Sequence, residues 1–185
     1  LIDHIEEGSE VIAYDCFGAG SYRNRSRSRH RHRDALIEIA NELAAKGLCD
    51  PLLVQNGTQE AEIIRAFIKR VESAVVAIKA AYKDGILLLL VDAADNAEMA
   101  AKEMNDICFA AELLREKLPE DCKLVYLCRP ERLDLLKPES YVVKFSLSPF
   151  SAEETLAHLQ LYFPDTTVPE AEEFHRLTSA NPRVQ

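Results

Sequence analysis

The chain has 185 residues, enough for one domain, or one plus a small appendage, with a real core. With 48% hydrophobic and 29% charged residues it reads as an ordinary soluble globular protein, and no run reaches the roughly 18 apolar residues that a membrane helix needs. A net charge of −9 disfavours general nucleic-acid binding by the whole domain. The five cysteines, Cys16, Cys49, Cys108, Cys122 and Cys128, are odd in number and lack C-x-x-C spacing. Neither a disulfide scaffold nor a zinc site is supported, so a reducing cytoplasm is the expected compartment. The first residues, L-I-D-H-I-E-E-G, carry acid where a signal peptide is basic, and they look like the end of a helix. No methionine opens the chain, which therefore reads as an internal piece of something longer.

In chain order, V-I-A-Y-D-C (Val11 to Cys16) reads as a short buried strand. F-G-A-G-S-Y then breaks regular structure. Gly18 and Gly20 suggest a phosphate loop, but without a following Gly-Lys-Ser/Thr they fit a strand-to-loop exit better. Arginine next occupies every second position, Arg23, Arg25, Arg27, Arg29, Arg31 and Arg33, with no acid between Ser21 and Arg33. Such a loop could bind phosphate, contact nucleic acid or reach a neighbouring subunit's nucleotide; the plainer expectation is a solvated, mobile surface loop. Tyr22 is its one aromatic, which gives no platform for base stacking. His30 and His32, crowded by cations, make a poor metal site.

Leu36, Ile37, Ala40, Leu43 and Ala44 follow helical spacing from about Asp34, and Gly47 is a C-terminal stop. Pro51 and Asn56-Gly57 mark a loop. A long amphipathic helix from Glu60 to Tyr82 carries Ile64, Phe67, Ile68, Val71, Val75 and Ile78 on one stripe, a surface suited to packing on a sheet.

The stretch D-G-I-L-L-L-L-V-D-A-A-D-N-A-E, Asp84 to Glu98, organises the rest. Ile86 to Val91 is apolar without alternation, as in a central parallel strand covered on both faces. Asp92 and Asp95 follow at the edge where open α/β sheets bind ligands, a Walker B-like arrangement for holding magnesium. Asp95 to Glu98 fits a capping pattern for a helix running to about Leu118 and stopped by Pro119. K-L-V-Y-L-C (Lys123 to Cys128) leads as a strand into Arg129 and Pro130, and Y-V-V-K-F-S-L (Tyr141 to Leu147) reads as a further, more alternating strand. Capping boxes at Ser151 to Glu154 and Thr167 to Glu170 open two short helices. The expected fold is α/β, a parallel three-layer sheet over residues 1–148, with a small helical lid over 149–185.

Strand, helices, L-L-L-L-V-D, helix, V-Y-L-C-R-P, strand, then L-S-P-F-S-A-E-E and T-S-A-N-P-R-V, in this order, resembles the STAND branch of P-loop NTPases, related to the AAA+ class. The resemblance covers about Val11 to Val184. It implies an ATP-dependent switch module of a large signalling or defence protein, with ATP and Mg2+ as cofactors. Asp92 would hold magnesium through its water shell, Asp95 would orient the attacking water and Arg129 would sense the γ-phosphate. Asn181 and Pro182 would sit in the lid near the base or the phosphates. The plainer alternatives are that Asp95 caps a helix, Arg129 pairs with Glu131 or Asp134, and Asn181-Pro182 is an ordinary turn.

The chain departs from that pattern in two places. The family often places a second acid directly after the first, and here that position is Ala93. No G-x-x-x-x-G-K-S/T occurs anywhere, so triphosphate binding lacks its main contacts, and nucleotide binding by this chain is expected to be weak or absent. Val11 to Cys16 matches the family's second strand, which puts the loop and first strand upstream of Leu1. That missing strand would sit beside the one leading to Arg129, and without it Tyr141 to Leu147 loses its usual neighbour. The implied partners are nucleotide, other domains of a larger chain and further copies in a homo-oligomer, with no nucleic acid and no membrane. The alternative is a non-catalytic NTPase-like scaffold or oligomerisation module with an Arg-rich anion-binding loop.

Overall fold

The computed structural model describes residues 7–178. The expected helix end at the amino terminus and the pair Asn181 and Pro182 lie outside these residues, at least in part for the former. The chain divides at Val142/Val143 into two compact units.

In the first unit three strands, β1 (Glu10–Asp15), β2 (Leu87–Asp92) and β3 (Cys122–Tyr126), form a parallel sheet in the order β1-β2-β3. Ile12 pairs with Leu89, and Leu89 with Leu124, so the three strands end at one edge. Helices α1 (His32–Ala45) and α2 (Glu60–Ala81) form the first crossover; α3 (Ala94–Met104) and α4 (Phe109–Leu113) form the second. The apolar stripes of α1 and α2 meet over the sheet, with Leu36, Leu43, Phe67 and Val71 fully buried. Gly47 closes α1 at φ 75°, where its N–H reaches Ala44 O and the Leu48 N–H reaches Leu43 O. This pair of bonds is the glycine stop that the sequence indicates.

The sheet is not three-layered within this unit. The core holds Ile12, Tyr14, Leu87, Leu89, Val91 and Cys122 together with all four helices, and these strand residues share one face. Val11, Ala13, Leu88, Leu90 and Val125 point the other way and lie outside that core; Ala13 is exposed, Val11, Leu90 and Val125 are partly so, and Leu88 is buried. Crossovers between parallel strands are of one hand. When each step also adds the next strand on the same side, every helix falls on the same face. A second layer needs a reversal of strand order, and the described residues contain none.

Two other expectations change. The helix after β2 does not run to Leu118: it stops at Met104, because Asn105 takes a left-handed conformation at φ 53°. Asp106 then bonds the Ile107 N–H, and Cys108 Sγ accepts the Ala110 N–H at the start of α4. Tyr141 to Leu147 forms no strand. Its alternate residues are bare, with Tyr141 at 67%, Phe145 at 87% and Leu147 at 91% exposure. β-Propensity reports fit to a neighbouring strand, and none of the described strands pairs with this segment.

The second unit, beginning at Val143, contains α5 (Ala152–Tyr162) and α6 (Val168–Leu177). Both expected capping boxes are formed, Ser151 with Glu154 and Thr167 with Glu170. Thr155 and Ala171 are buried between the helices, whereas Leu161, Tyr162 and Phe163 remain exposed. Among the described residues, no helix is long and apolar enough to cross a membrane.

Candidate functional site at the carboxyl edge of the sheet

β1 and β2 both end in aspartate, and Asp15 and Asp92 are register partners. Their side chains are used differently. Asp15 accepts the Phe17 N–H at 2.6 Å and the Gly18 N–H at 2.9 Å, tying down the turn Gly18–Gly20. That turn is the strand exit expected from its two glycines. The Asp92 carboxylate is exposed and has no partner among the described residues, while its carbonyl accepts the Cys16 N–H at 2.9 Å.

Ala93, in a left-handed conformation, turns the chain from β2 into α3. The Leu127 N–H donates to Val91 O and the Ala94 N–H to Leu127 O, at 2.9 and 3.0 Å. These two bonds sew the exit of β3 to the start of α3 and thereby bring Arg129 onto Asp95. Arg129 Nε lies 2.8 Å and Nη2 2.6 Å from Asp95 Oδ2, and Nη2 also donates to Asn96 Oδ1. Arg132 Nη1 approaches the same two acceptors at 3.4 and 3.5 Å. The Asp95 side chain is 2% exposed, those of Arg129 and Arg132 44% and 30%.

Asp95 is therefore not a helix cap: it stands inside the first turn of α3, and no side chain caps that helix. Glu98 does not close a capping box either; its Oε1 accepts the Ala111 N–H at 2.9 Å. Arg129 pairs with Asp95 rather than with Glu131 or Asp134. The structure thus gathers Asp92, Asp95 and Arg129 at one edge, and Asn181 and Pro182 lie outside the described residues. Sequence reasoning missed Asn96 and Arg132. A signal for Arg132 was present in R-P-E-R, because the 3-10 helix Pro130–Leu136 follows Arg129 and residues three apart in such a helix lie on one side.

Two thiols border this edge. Burial pushes the Cys16 thiol up against the opposing pull of Arg29. Burial also raises Cys128, with Asp95 and Glu131 adding to it. In both, burial disfavours the thiolate, and neither is activated as a nucleophile by its surroundings.

The arginine-rich segment is not a loose loop. Arg29 lies over the Tyr14 ring at 4.2 Å, donates to Asp15 O and pairs with Glu38 at 3.1 Å. Arg23 pairs with Glu103, Arg31 with Asp106 at 2.6 Å, and Arg33 donates to Gln55 O. His30 and His32 are buried, with Nε2 at 3.1 Å from Asp106 and 2.8 Å from Glu112 respectively. The contact of His32 lacks hydrogen-bond geometry, and His30 Nδ1 has no partner among the described residues. Acids from α1, α3 and the turn after α3 pair with Arg29, Arg23 and Arg31, a carbonyl takes Arg33, and among these six arginines only the Arg25 and Arg27 side chains stay unpartnered among the described residues. No three His, Cys, Asp or Glu side chains are grouped as a ready-made metal site among the described residues.

The fold and this edge define a mixed α/β unit with an open parallel sheet and a charged cluster at its carboxyl end. Compared with known protein families and with curated proteins, the sequence matches none.

Proposed function

We propose that this chain is the nucleotide-binding core and the beginning of the helical lid of a STAND-like P-loop ATPase, acting as a switch within a larger, cytoplasmic signalling or defence protein. The observation that carries the reading is the union of Asp92, Asp95 and Arg129 at the ends of adjacent strands β2 and β3. An exposed carboxylate and a half-exposed guanidinium at that edge are what a magnesium-bound phosphate chain needs on one side. The order β1-β2-β3 also agrees with the second, third and fourth strands of that fold, with the outer edge of β3 left for the strand that would carry the phosphate loop.

The residues present fit the two cofactors unequally. Magnesium is hard, retains waters and commonly takes one or two carboxylates, so Asp92 suits it as a single protein ligand. Triphosphate does not fit this chain alone, because neither the amide cradle nor the lysine of G-x-x-x-x-G-K-S/T is present. The phosphate loop would lie upstream of Leu1. In this reading the residues present neutralise charge at Asp92 and Arg129 and exclude water around Asp95; bond cleavage in ATP belongs to the longer chain.

The test is magnesium-dependent ATP binding and hydrolysis by the natural full-length protein and by its Asp92→Asn variant. The variant should lose most of the magnesium-dependent turnover, by about a hundredfold, while keeping its fold. Equal turnover in both removes Asp92 from the metal site. A full-length protein without a lysine-bearing phosphate loop removes the ATPase reading and leaves the non-catalytic scaffold in its place.

A further inference from the structure

Two guanidiniums converge on one carboxylate beside Asp92, and each keeps part of its donor set free. Arg129 commits Nε and Nη2 to Asp95 and Asn96, which leaves Nη1 without a partner among the described residues. Arg132 makes only two long contacts, both through Nη1, which leaves Nε and Nη2. The acceptors are buried and the donors half-exposed. Within the cluster one buried negative charge lies beneath two half-exposed positive ones, while Asp92 at the end of β2 brings these four side chains to zero, so the free guanidinium donors and not a net charge offer the site.

We propose that Arg129 and Arg132 form one two-armed anion fork for phosphoryl oxygens, and that Asp95 and Asn96 are positioning residues that hold its arms. The inference rests on reading this edge as a phosphate site, and it reassigns Asp95. Its Oδ2 is the shared acceptor of both arginines and is closed off from solvent, so it orients guanidiniums instead of an attacking water. The planar, paired donors of arginine match phosphate oxygens two at a time. Placing two such groups three residues apart, at the start of a 3-10 helix, turns both toward the same side.

Charge and position make opposite predictions for Asp95. Were its charge all that mattered, removing it from beside two arginines would tighten an anion. If it holds the arms in place, removing it frees them and weakens the anion, because ordering the arms is then charged to binding.

The experiment is an NMR titration of the chain with inorganic pyrophosphate, without magnesium so that no metal bridges the anion to Asp92; the Asp92 carboxylate, the same in every variant, then acts only as a constant repulsion. It follows the side-chain Nε–H resonances of Arg129 and Arg132. Both should move. Arg132→Gln should weaken pyrophosphate about tenfold, and Arg132→Lys, which keeps the charge but not the fork, should recover only part of that loss. Asp95→Ala should weaken it by about threefold or more despite removing a negative charge. Asn96→Ala, which alters no charge, should act in the same direction and decides the matter if Asp95→Ala fails to fold. Unmoved resonances, an Arg132→Gln variant that binds like the parent, or position variants that bind equally or more tightly would each overturn the fork. The two readings separate in the natural full-length protein. Pyrophosphate on the fork without any binding of magnesium-ATP would remove the nucleotide switch and keep the fork. Magnesium-ATP binding unchanged by Arg132→Gln would do the reverse.

Discussion

Ala93 carries the chain from β2 into α3 at φ 54° and ψ 40°. A left-handed alanine costs about 1 kcal/mol through crowding of its Cβ, whereas glycine takes the same conformation freely but loses more entropy on folding. Ala93→Gly should therefore raise stability by about 0.5 kcal/mol net, read as a higher urea midpoint at unchanged slope. A lower midpoint would mean that the Ala93 methyl group makes contacts that outweigh its strain. Asp106 offers a second test, of sign as well as size. Burial works to raise its carboxyl, but hydrogen bonds from Arg31, His30 and the Ile107 N–H outweigh that and hold it at about 2. Because this lies below the value of about 4 in an unfolded chain, the folded state favours the charged form. Its contribution is complete above pH ~4 and disappears as pH falls through ~2. Partial exposure limits it to about 1 kcal/mol. Urea melts of the parent and of Asp106→Asn should differ at pH 6 and converge toward pH 2; a constant difference would assign the effect to packing.

The elements show what was legible and why. Periodic helices and their caps were readable, since Leu36, Phe67 and Val71 report a face and Gly47, Ser151 and Thr167 report ends through bonds to residues close in sequence. Ser151→Ala, which removes the acceptor for the Glu154 N–H, should cost α5 about 1 kcal/mol in local stability, seen as faster amide exchange at Glu154 and Thr155. Exchange confined to α6 would contradict it. Contacts between distant residues were not readable. The arginine segment looked solvated because, apart from Glu38, its acids, Glu103, Asp106 and Glu112, come from α3, α4 and the turn between them, some 75 to 80 residues later. A shorter separation, 37 residues, hid the Arg132 contact to Asp95 in the same way, although the place of Arg129 at the sheet edge was foreseen. Tyr141 to Leu147 failed as a strand for the complementary reason: alternation is local, but a strand exists only with its neighbour.

At the scale of the whole molecule, the thiols report how tightly the first unit is closed. Cys16, Cys108 and Cys122 are buried, and burial pushes the Cys122 thiol up to about 12. Cys49 and Cys128 are only half-buried. A thiol reagent at pH 8 should label Cys49 and Cys128 first and reach the other three only at the rate of opening, with all five reacting in urea. Rapid labelling of Cys16 would mean that the sheet edge opens independently of the core. The one-sided winding of the helices also has a calorimetric consequence. Unfolding raises heat capacity in proportion to the apolar surface newly wetted, about 12–15 cal/mol/K per residue in ordinary domains. On the second face Ala13 is already in water before unfolding begins and Val11, Leu90 and Val125 are partly so, with Leu88 the buried exception. The heat-capacity step of this chain should fall below that range, and its stability curve should be correspondingly flat: a protein that gains little on warming from the cold and loses little until it melts.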